Sequence, residues 1–247
     1  MSTEQRVALI TGSSSGIGAA VARRFAADGL RVVVNSARSV AAGKQLAAEL
    51  PDAVYVQADV SDPDQAEALV RAAVDAYGRL DVLVNCAGTT EFIPHDDLAA
   101  ASPEVWRRLY DVNVIGVWQT IVAAVPHLKA SGAGAVVTIS SQAGVRPGGS
   151  SIPYSVSKAA VNHMTRLLAK TLGPDGIRVN AVAPGMIDTP WFEGVEGIED
   201  SMREVASALP LRRVGSPDDI AGAVADLAHS AYITGEVLLV DGGGHLL

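Results

Sequence analysis

The chain holds a single cysteine, Cys86, in 247 residues, so no internal disulfide can form. That fits a reducing compartment, and a cytoplasmic location is the expectation. There is no basic cluster either: 19 Lys and Arg are scattered among 27 Asp and Glu, for a net charge of −8. A nucleic-acid partner, which needs clustered cations against its phosphates, is therefore not expected. Apolar stretches are broken by charge, Gly or Pro, and no stretch is expected to reach the ~20 residues of a membrane-spanning helix. The opening MSTEQRVALITG carries Glu4 beside Arg6, and its apolar run Val7 to Ile10 is too short for the central region of a signal peptide, so no export signal is expected. The five histidines show no HxxxH or paired spacing, and no metal site is expected. No GxSxG turn surrounds Ser141 or Ser157, which argues against a Ser-His-Asp hydrolase.

What is present is material for a continuous core, 49% apolar against 19% charged. Seven short β-branched runs alternate with longer segments of helical periodicity. They are Arg6–Ile10, Arg31–Val34, Val54–Gln57, Val82–Asn85, Ala135–Ser140, Arg178–Ala183 and Val237–Val240. Such continuous Val/Ile/Leu runs suit strands buried on both faces. The prediction is an α/β fold: a doubly wound, seven-stranded parallel sheet with helices on both faces, in one domain over residues 1–247. Ile17, Val21 and Phe25 mark a first helix that Gly29 can terminate. Asp64–Tyr77, Pro103–Val125, Tyr154–Leu172 and Pro217–Ala228 are the clearest of the others. Between about 185 and 209, Pro190, Gly194 and Gly197 punctuate acidic and aromatic residues, so a long irregular segment is predicted there. Following a strand's carboxyl end, it is expected to act as a substrate lid.

The first strand runs into Gly12-Ser13-Ser14-Ser15-Gly16-Ile17-Gly18 and then directly into a helix. Glycines allow a tight turn and close approach to a pyrophosphate, and the free amides and dipole of the helix start attract its charge. The strand before and the helix after give this loop its weight. At the end of the second strand, Asn35-Ser36-Ala37-Arg38 contains no carboxylate to bond a ribose 2′-hydroxyl, and Arg38 can pair with a 2′-phosphate. NADP is accordingly favoured over NAD, although Ser15 stands where a second basic residue would strengthen that preference.

The TGxxxGxG frame resembles the short-chain dehydrogenase/reductase family. The resemblance spans nearly the whole chain through Asp59-Val60, Asn85-Cys86-Ala87-Gly88, Asn113, Ser141, Tyr154-Ser-Val-Ser-Lys158, Pro184-Gly185 and Asp241-Gly242-Gly243. It implies that Asp59 and Val60 hold the adenine, that Asn85, Ala87 and Gly88 line the adenosine side, and that Ile187 and Thr189 meet the nicotinamide amide. Cys86 departs from the family's usual second Asn and is expected to be inert packing.

Tyr154 and Lys158 lie four apart at a helix start and share one face. By resemblance Tyr154 exchanges a proton with the substrate oxygen. A phenol of pKa ~10 needs its anion stabilised to act as a base at neutral pH, and Lys158 is expected to lower that pKa. Lys158 would also grip the nicotinamide ribose. Ser141, chosen over Ser140 by its separation from Tyr154 and followed by Gly144, would donate a hydrogen bond to the substrate oxygen. Asn113 would hold a water that connects Lys158 with solvent.

The leading expectation is a hydride-transferring oxidoreductase acting on a small ketone or secondary alcohol. A narrower alternative is 3-oxoacyl-acyl-carrier-protein reductase. Against it, Glu193, Glu196, Glu199 and Asp200 in the lid would repel an acidic carrier, an effect that Arg107, Arg108, Arg166 and Lys170 can offset elsewhere. A third, non-catalytic reading is a dinucleotide sensor or scaffold, against which the intact Ser141, Tyr154 and Lys158 argue. The apolar end at Leu246 and Leu247 resembles segments that pack across subunits, so a homotetramer or homodimer is expected.

Overall fold

The computed structural model describes residues 5–247, so Glu4 lies outside the described residues. All seven expected strands form. They are β1 Val7–Ile10, β2 Arg31–Ser36, β3 Ala53–Gln57, β4 Val82–Asn85, β5 Ala135–Ile139, β6 Arg178–Pro184 and β7 Val237–Val240. They make one sheet in the order β3-β2-β1-β4-β5-β6-β7, with every neighbouring pair parallel.

Parallel strands need covered faces, and residue parity distributes each strand between two cores. Ala8, Ile10, Val32, Val34, Val82 and Val84 pack with helices α1 (Gly16–Ala27), α2 (Val40–Glu49) and α8 (Pro217–His229). Val7, Leu9, Val33, Leu83 and Val136 face the other way, toward α3 (Pro63–Tyr77), α5 (Gly116–Ser131) and α6 (Ile152–Leu172). A strand that reads as an unbroken apolar run is thus two interleaved sets of contacts.

The helix predicted over 103–125 has a different interior. It begins as α4 (Pro103–Tyr110), widens into a π-helical turn at Asp111–Ile115, and continues as α5 to Ser131. This continuous 29-residue segment corrects the expectation about apolar runs, because by length and composition it meets the measure of a membrane-spanning helix. Val117, Ile121, Ala124 and Leu128 nevertheless bury one of its faces in the core, while Ile115, Trp118 and Val122 are exposed.

The segment 185–209 is also more regular than expected. A 3₁₀ turn at Pro190–Phe192 precedes an 11-residue helix, α7 (Ile198–Ala208). Gly197, at φ +71°, starts α7 in a left-handed conformation. Glu199 and Asp200 occupy its first turn, where the helix dipole favours carboxylates. The Gly and Pro residues that suggested irregularity are the punctuation before this helix.

The strand order reverses between β1 and β4, which places the carboxyl ends of β1, β2 and β4 around a crevice. Asn35, buried near the end of β2, ties the ends of β1, β2 and β3 together. Its side chain accepts from the Gly12 amide at 3.2 Å and donates to the carbonyls of Val56 and Ala58, each at 3.1 Å. Ser13 completes the link, donating through Oγ to the Ile10 carbonyl and accepting from the Asn35 amide.

Replacing Asn35 with Ala should cost about 2–3 kcal/mol, because three backbone groups, buried or partly buried, lose their partner at once. Urea denaturation checks this, and an unchanged midpoint would show that the tie adds nothing to stability.

Candidate active site

At the end of β1, Thr11 Oγ1 accepts from the amides of Cys86 and Ala87 at 3.1 and 3.0 Å, joining β1 to β4 where the crevice opens. Gly12 follows at φ +62°, and a Cβ there would stand 2.7 Å from the Ala87 backbone, so both conformation and space require glycine. A Cβ on Gly18 would lie 2.5 Å from the Gly12 carbonyl, which is how closely α1 seats against the loop. Ser15 opens α1 without a side-chain cap, leaving the first-turn amides free of side-chain partners.

These features border a cleft of about 1250 Å³. Gly12, Ser14, Ser15, Gly16, Ile17 and Gly18 line one end, with Arg38, Asp59 and Val60 beside them. The glycine cradle and uncapped helix fit a pyrophosphate, and the cleft is large enough for a dinucleotide. Arg38 is exposed and forms no ion pair among the described residues. The Asp59 carboxylate accepts from the Ser61 amide and hydroxyl, at 3.0 and 2.7 Å, and is held in place at the rim.

The other end holds the Ser-Tyr-Lys group. Ser141 leaves β5 as the cap of the turn Gln142–Gly144, accepting from the Ala143 amide at 3.1 Å. A Cβ on Gly144 would come within 2.6 Å of the Lys158 backbone, so this turn lies directly on α6. Ser151 caps α6 by accepting from the Tyr154 amide, which sets the phenol at the helix start. Ser141 lies near the Tyr154 hydroxyl, on the side where it favours the phenolate. Ser140, the adjacent competitor, is buried and donates instead to the Lys158 carbonyl at 3.3 Å.

Lys158 is 5% exposed, donates to the Ile139 carbonyl at 2.9 Å, and sits 5.7 Å from the centroid of the Tyr154 ring. Burial pulls its ammonium below the usual lysine range, to about 8, and the nearby Cys86 opposes that. Burial also pushes the Tyr154 phenol up to about 12, against the effect of Ser141. This differs from the lowered value expected from sequence. Desolvation prevails in the free protein because Lys158 is aimed at the Ile139 carbonyl and lies against the ring. The Cys86 thiol, half-buried in the same wall, is likewise raised to about 12 by desolvation, in keeping with inert packing.

Asn113 lies in the π-helical turn and is fully buried. Its amide donates to the Thr89 carbonyl at 2.9 Å and to Ser157 Oγ at 3.1 Å, and its carbonyl accepts from the Thr89 amide at 2.8 Å. It therefore joins the β4–α4 connection to α6. Asn85 does not line the cleft: it is buried beneath it and accepts from Thr120 at 2.7 Å. Ala87, Gly88, Pro184, Gly185, Ile187 and Thr189 do line it.

Several lining residues were not named as site residues from the sequence, although Trp191 and Phe192 fall in the segment expected to act as a lid. Phe92, Trp191 and Phe192 surround the Tyr154 end, with Gln142 and Ser150 beside them. They sit in connections whose course only the folded sheet defines. Asn35 could have been noticed as a polar residue at the buried end of a strand.

The chain resembles known proteins over nearly its whole length. A family model described as enoyl-(acyl carrier protein) reductase matches residues 12–245. The chain is 61% identical to a Streptomyces violaceoruber protein named "Granaticin polyketide synthase putative ketoacyl reductase 2", over 99% of this chain and 98% of that one. It is 40% identical to cis-4-hydroxycyclohexanecarboxylate dehydrogenase of Sinomonas cyclohexanicum, covering 97% and 96%. Its fold matches the ligand-free structure of Thermoplasma acidophilum aldohexose dehydrogenase with a TM-score of 0.87 at 32% identity, covering 99% and 95%.

The lowered Lys158 pKa has a consequence for stability. Between about 8 and the ordinary lysine value, the unfolded chain binds a proton that the folded chain has released, so stability rises with pH across that window. Relative to Lys158→Met, the wild type should therefore gain in urea midpoint from pH about 8 to about 10. A flat difference would mean that the ammonium is in contact with water.

Proposed function

The chain belongs to the short-chain dehydrogenase/reductase family, and from that membership we propose that it interconverts a ketone and a secondary alcohol, with Tyr154 as the group that exchanges the proton. It is an NAD(P)-dependent oxidoreductase of CH–OH and C=O groups. The observation that supports the residue assignment is the meeting of Ser141, Tyr154 and a buried Lys158 in the same cleft as the glycine loop.

A bound nicotinamide dinucleotide supplies or receives the hydride. The α1 amides and the loop Gly12 to Gly18 would hold its pyrophosphate, Asp59 and Val60 its adenine side, and Lys158 its nicotinamide ribose. Ser141 donates to the substrate oxygen, where negative charge grows during reduction. Tyr154, with a pKa of about 12, is protonated at neutral pH and is suited to give its proton to that oxygen. For the reverse reaction the phenolate must be stabilised, and a Lys158 ammonium turned toward the phenol oxygen would do so. Asn113 keeps Thr89 and Ser157 in register around these groups and is proposed to support the proton path from Lys158.

For the dinucleotide, NADP is the proposed preference, supported by Arg38, which forms no ion pair among the described residues, and by the absence of a carboxylate in Asn35 to Arg38. A homodimer or homotetramer is supported by exposed Ile115, Trp118 and Val122 and by exposed Leu246 and Leu247. A cytoplasmic location is proposed with it. A carrier-bound 3-oxoacyl substrate is the second reading, favoured by the likeness to the named ketoacyl reductase. The exposed Glu193, Glu196, Glu199 and Asp200 weigh against an acidic carrier docking beside the cleft. A silent dinucleotide sensor is disfavoured by the complete Ser141, Tyr154 and Lys158 set. Rates on a ketone panel compared with an acyl-thioester ketone separate the three readings.

Tyr154→Phe should lower kcat by about 10²–10⁴ while leaving NADPH binding largely intact, because only the proton-exchanging group is removed. Wild-type turnover in that variant would take Tyr154 out of the mechanism. Arg38→Ala should raise the Kd for NADPH about tenfold or more and change that for NADH far less. Equal changes, read by titration calorimetry, would assign Arg38 to solvent.

A further inference from the structure

Aromatic side chains are scarce in this protein: besides five Tyr there are three Phe and three Trp in the whole sequence. Three of these six, Phe92, Trp191 and Phe192, line the cleft, whereas Phe25 is the Phe of the buried core. Phe92 comes from the β4–α4 connection, and Trp191 and Phe192 from the 3₁₀ turn after β6. The Phe92 and Phe192 rings meet across the two segments at 6.1 Å and 49°. The Trp191 ring meets Tyr154 at 6.1 Å and 52°, and a Cβ built on Gly88 would lie 3.8 Å from it. These rings are not consumed by packing, since Phe92 remains 45% exposed and Trp191 38%.

The polar groups nearby are mostly engaged. Thr90 and Ser150 hydrogen-bond to each other, and the Ser150 carbonyl accepts from the Ile93 amide. Both backbone groups of Thr89 are taken by Asn113. Gln142 accepts from Arg146, and Arg108 is paired with Glu91. His95 and Ser201 are exposed to solvent. A polyhydroxylated substrate would lose hydrogen bonds to water here and find few replacements, whereas a flat apolar ring would cover open aromatic faces. Ser141 and Tyr154 remain to receive one oxygen.

We infer that the substrate is an aryl or fused-ring ketone, or the corresponding alcohol, rather than a sugar or polyol, and that Phe92, Trp191 and Phe192 determine this specificity. The inference rests on the carbonyl reduction proposed above. Trp191, against the phenol, receives the part of the ring next to the carbonyl, and Phe92 with Phe192 holds the remainder.

The test uses the purified protein with NADPH and measures kcat/KM for 1-tetralone, cyclohexanone and an aldose. The ratio of 1-tetralone to cyclohexanone should be about tenfold or more in the wild type, and Phe92→Ala and Trp191→Leu should each lower it several-fold through KM, while Trp191→Phe keeps most of it. A wild-type preference for cyclohexanone or the aldose, or a ratio unmoved in both truncated variants, would overturn the inference. A binding arm that needs no turnover follows tryptophan fluorescence on titration with 1-tetralol. Quenching that weakens in Phe92→Ala and is lost in Trp191→Phe supports the aromatic site, and its absence in the wild type overturns it. Quenching without turnover of any carbonyl would count against the proposed reaction and leave the ring site standing.

Discussion

The active end of this molecule depends on one buried cation. Lys158 reaches from α6 to the Ile139 carbonyl at the last residue of β5, and Ser140 returns a hydrogen bond to the Lys158 carbonyl. With Gly144 packed against the same backbone, the helix cannot slide along the sheet without breaking all three contacts at once. Taking an ammonium out of water costs free energy, and the lowered Lys158 pKa is the sign of that cost. In exchange, Tyr154 and Ser141 are placed in the same cleft that the glycine loop borders.

The two ends of the cleft work by different physics. The pyrophosphate end is made of backbone: a turn with no room for a Cβ, an uncapped helix, and Asn35 bracing the ends of β1, β2 and β3. Such a cradle binds by dipole and shape, and it needs little from side-chain chemistry beyond Arg38 at the rim. The opposite end is made of rings and of already satisfied polar groups, so recognition there comes from burial and stacking. A chain of this family can keep the first end while its second end changes, in accord with the different substrates named for its relatives.

Much of the fold was legible in the sequence because parallel strands covered on both sides must be apolar throughout, and these runs stood out. The glycine loop and the Ser141, Tyr154 and Lys158 spacing were legible because local geometry demands particular residues there. The helix at Ile198–Ala208 was obscured by the Gly and Pro residues that precede it, and its stripe of Ile198, Met202 and Val205 is short. The π-helical turn left no mark, since a widened turn uses ordinary residues. Asn85 was expected in the cleft, yet a residue at the last position of a central strand points into the protein and pairs with Thr120. The phenol's raised pKa was missed because sequence spacing reports which groups are neighbours and says nothing of how dry their surroundings are. Trp191 and Phe192 fell within the segment expected to cover the substrate, whereas Phe92 was missed because it is distant along the chain and meets Phe192 only when two connections converge.

The widened turn at Asp111–Ile115 has one more consequence. A π-helical turn accommodates one extra residue in the rod, so the segments before and after it are rotated relative to the phase that a uniform helix would impose. The upstream half can present Val105 and Leu109 toward the mouth while the downstream half turns Thr120 to the sheet, and Asn113 sits at the join. Register, rather than any single side chain, is what this join encodes. Were the same residues wound as a uniform α-helix, every downstream side chain would be chemically unchanged and aimed about a hundred degrees away from its partner.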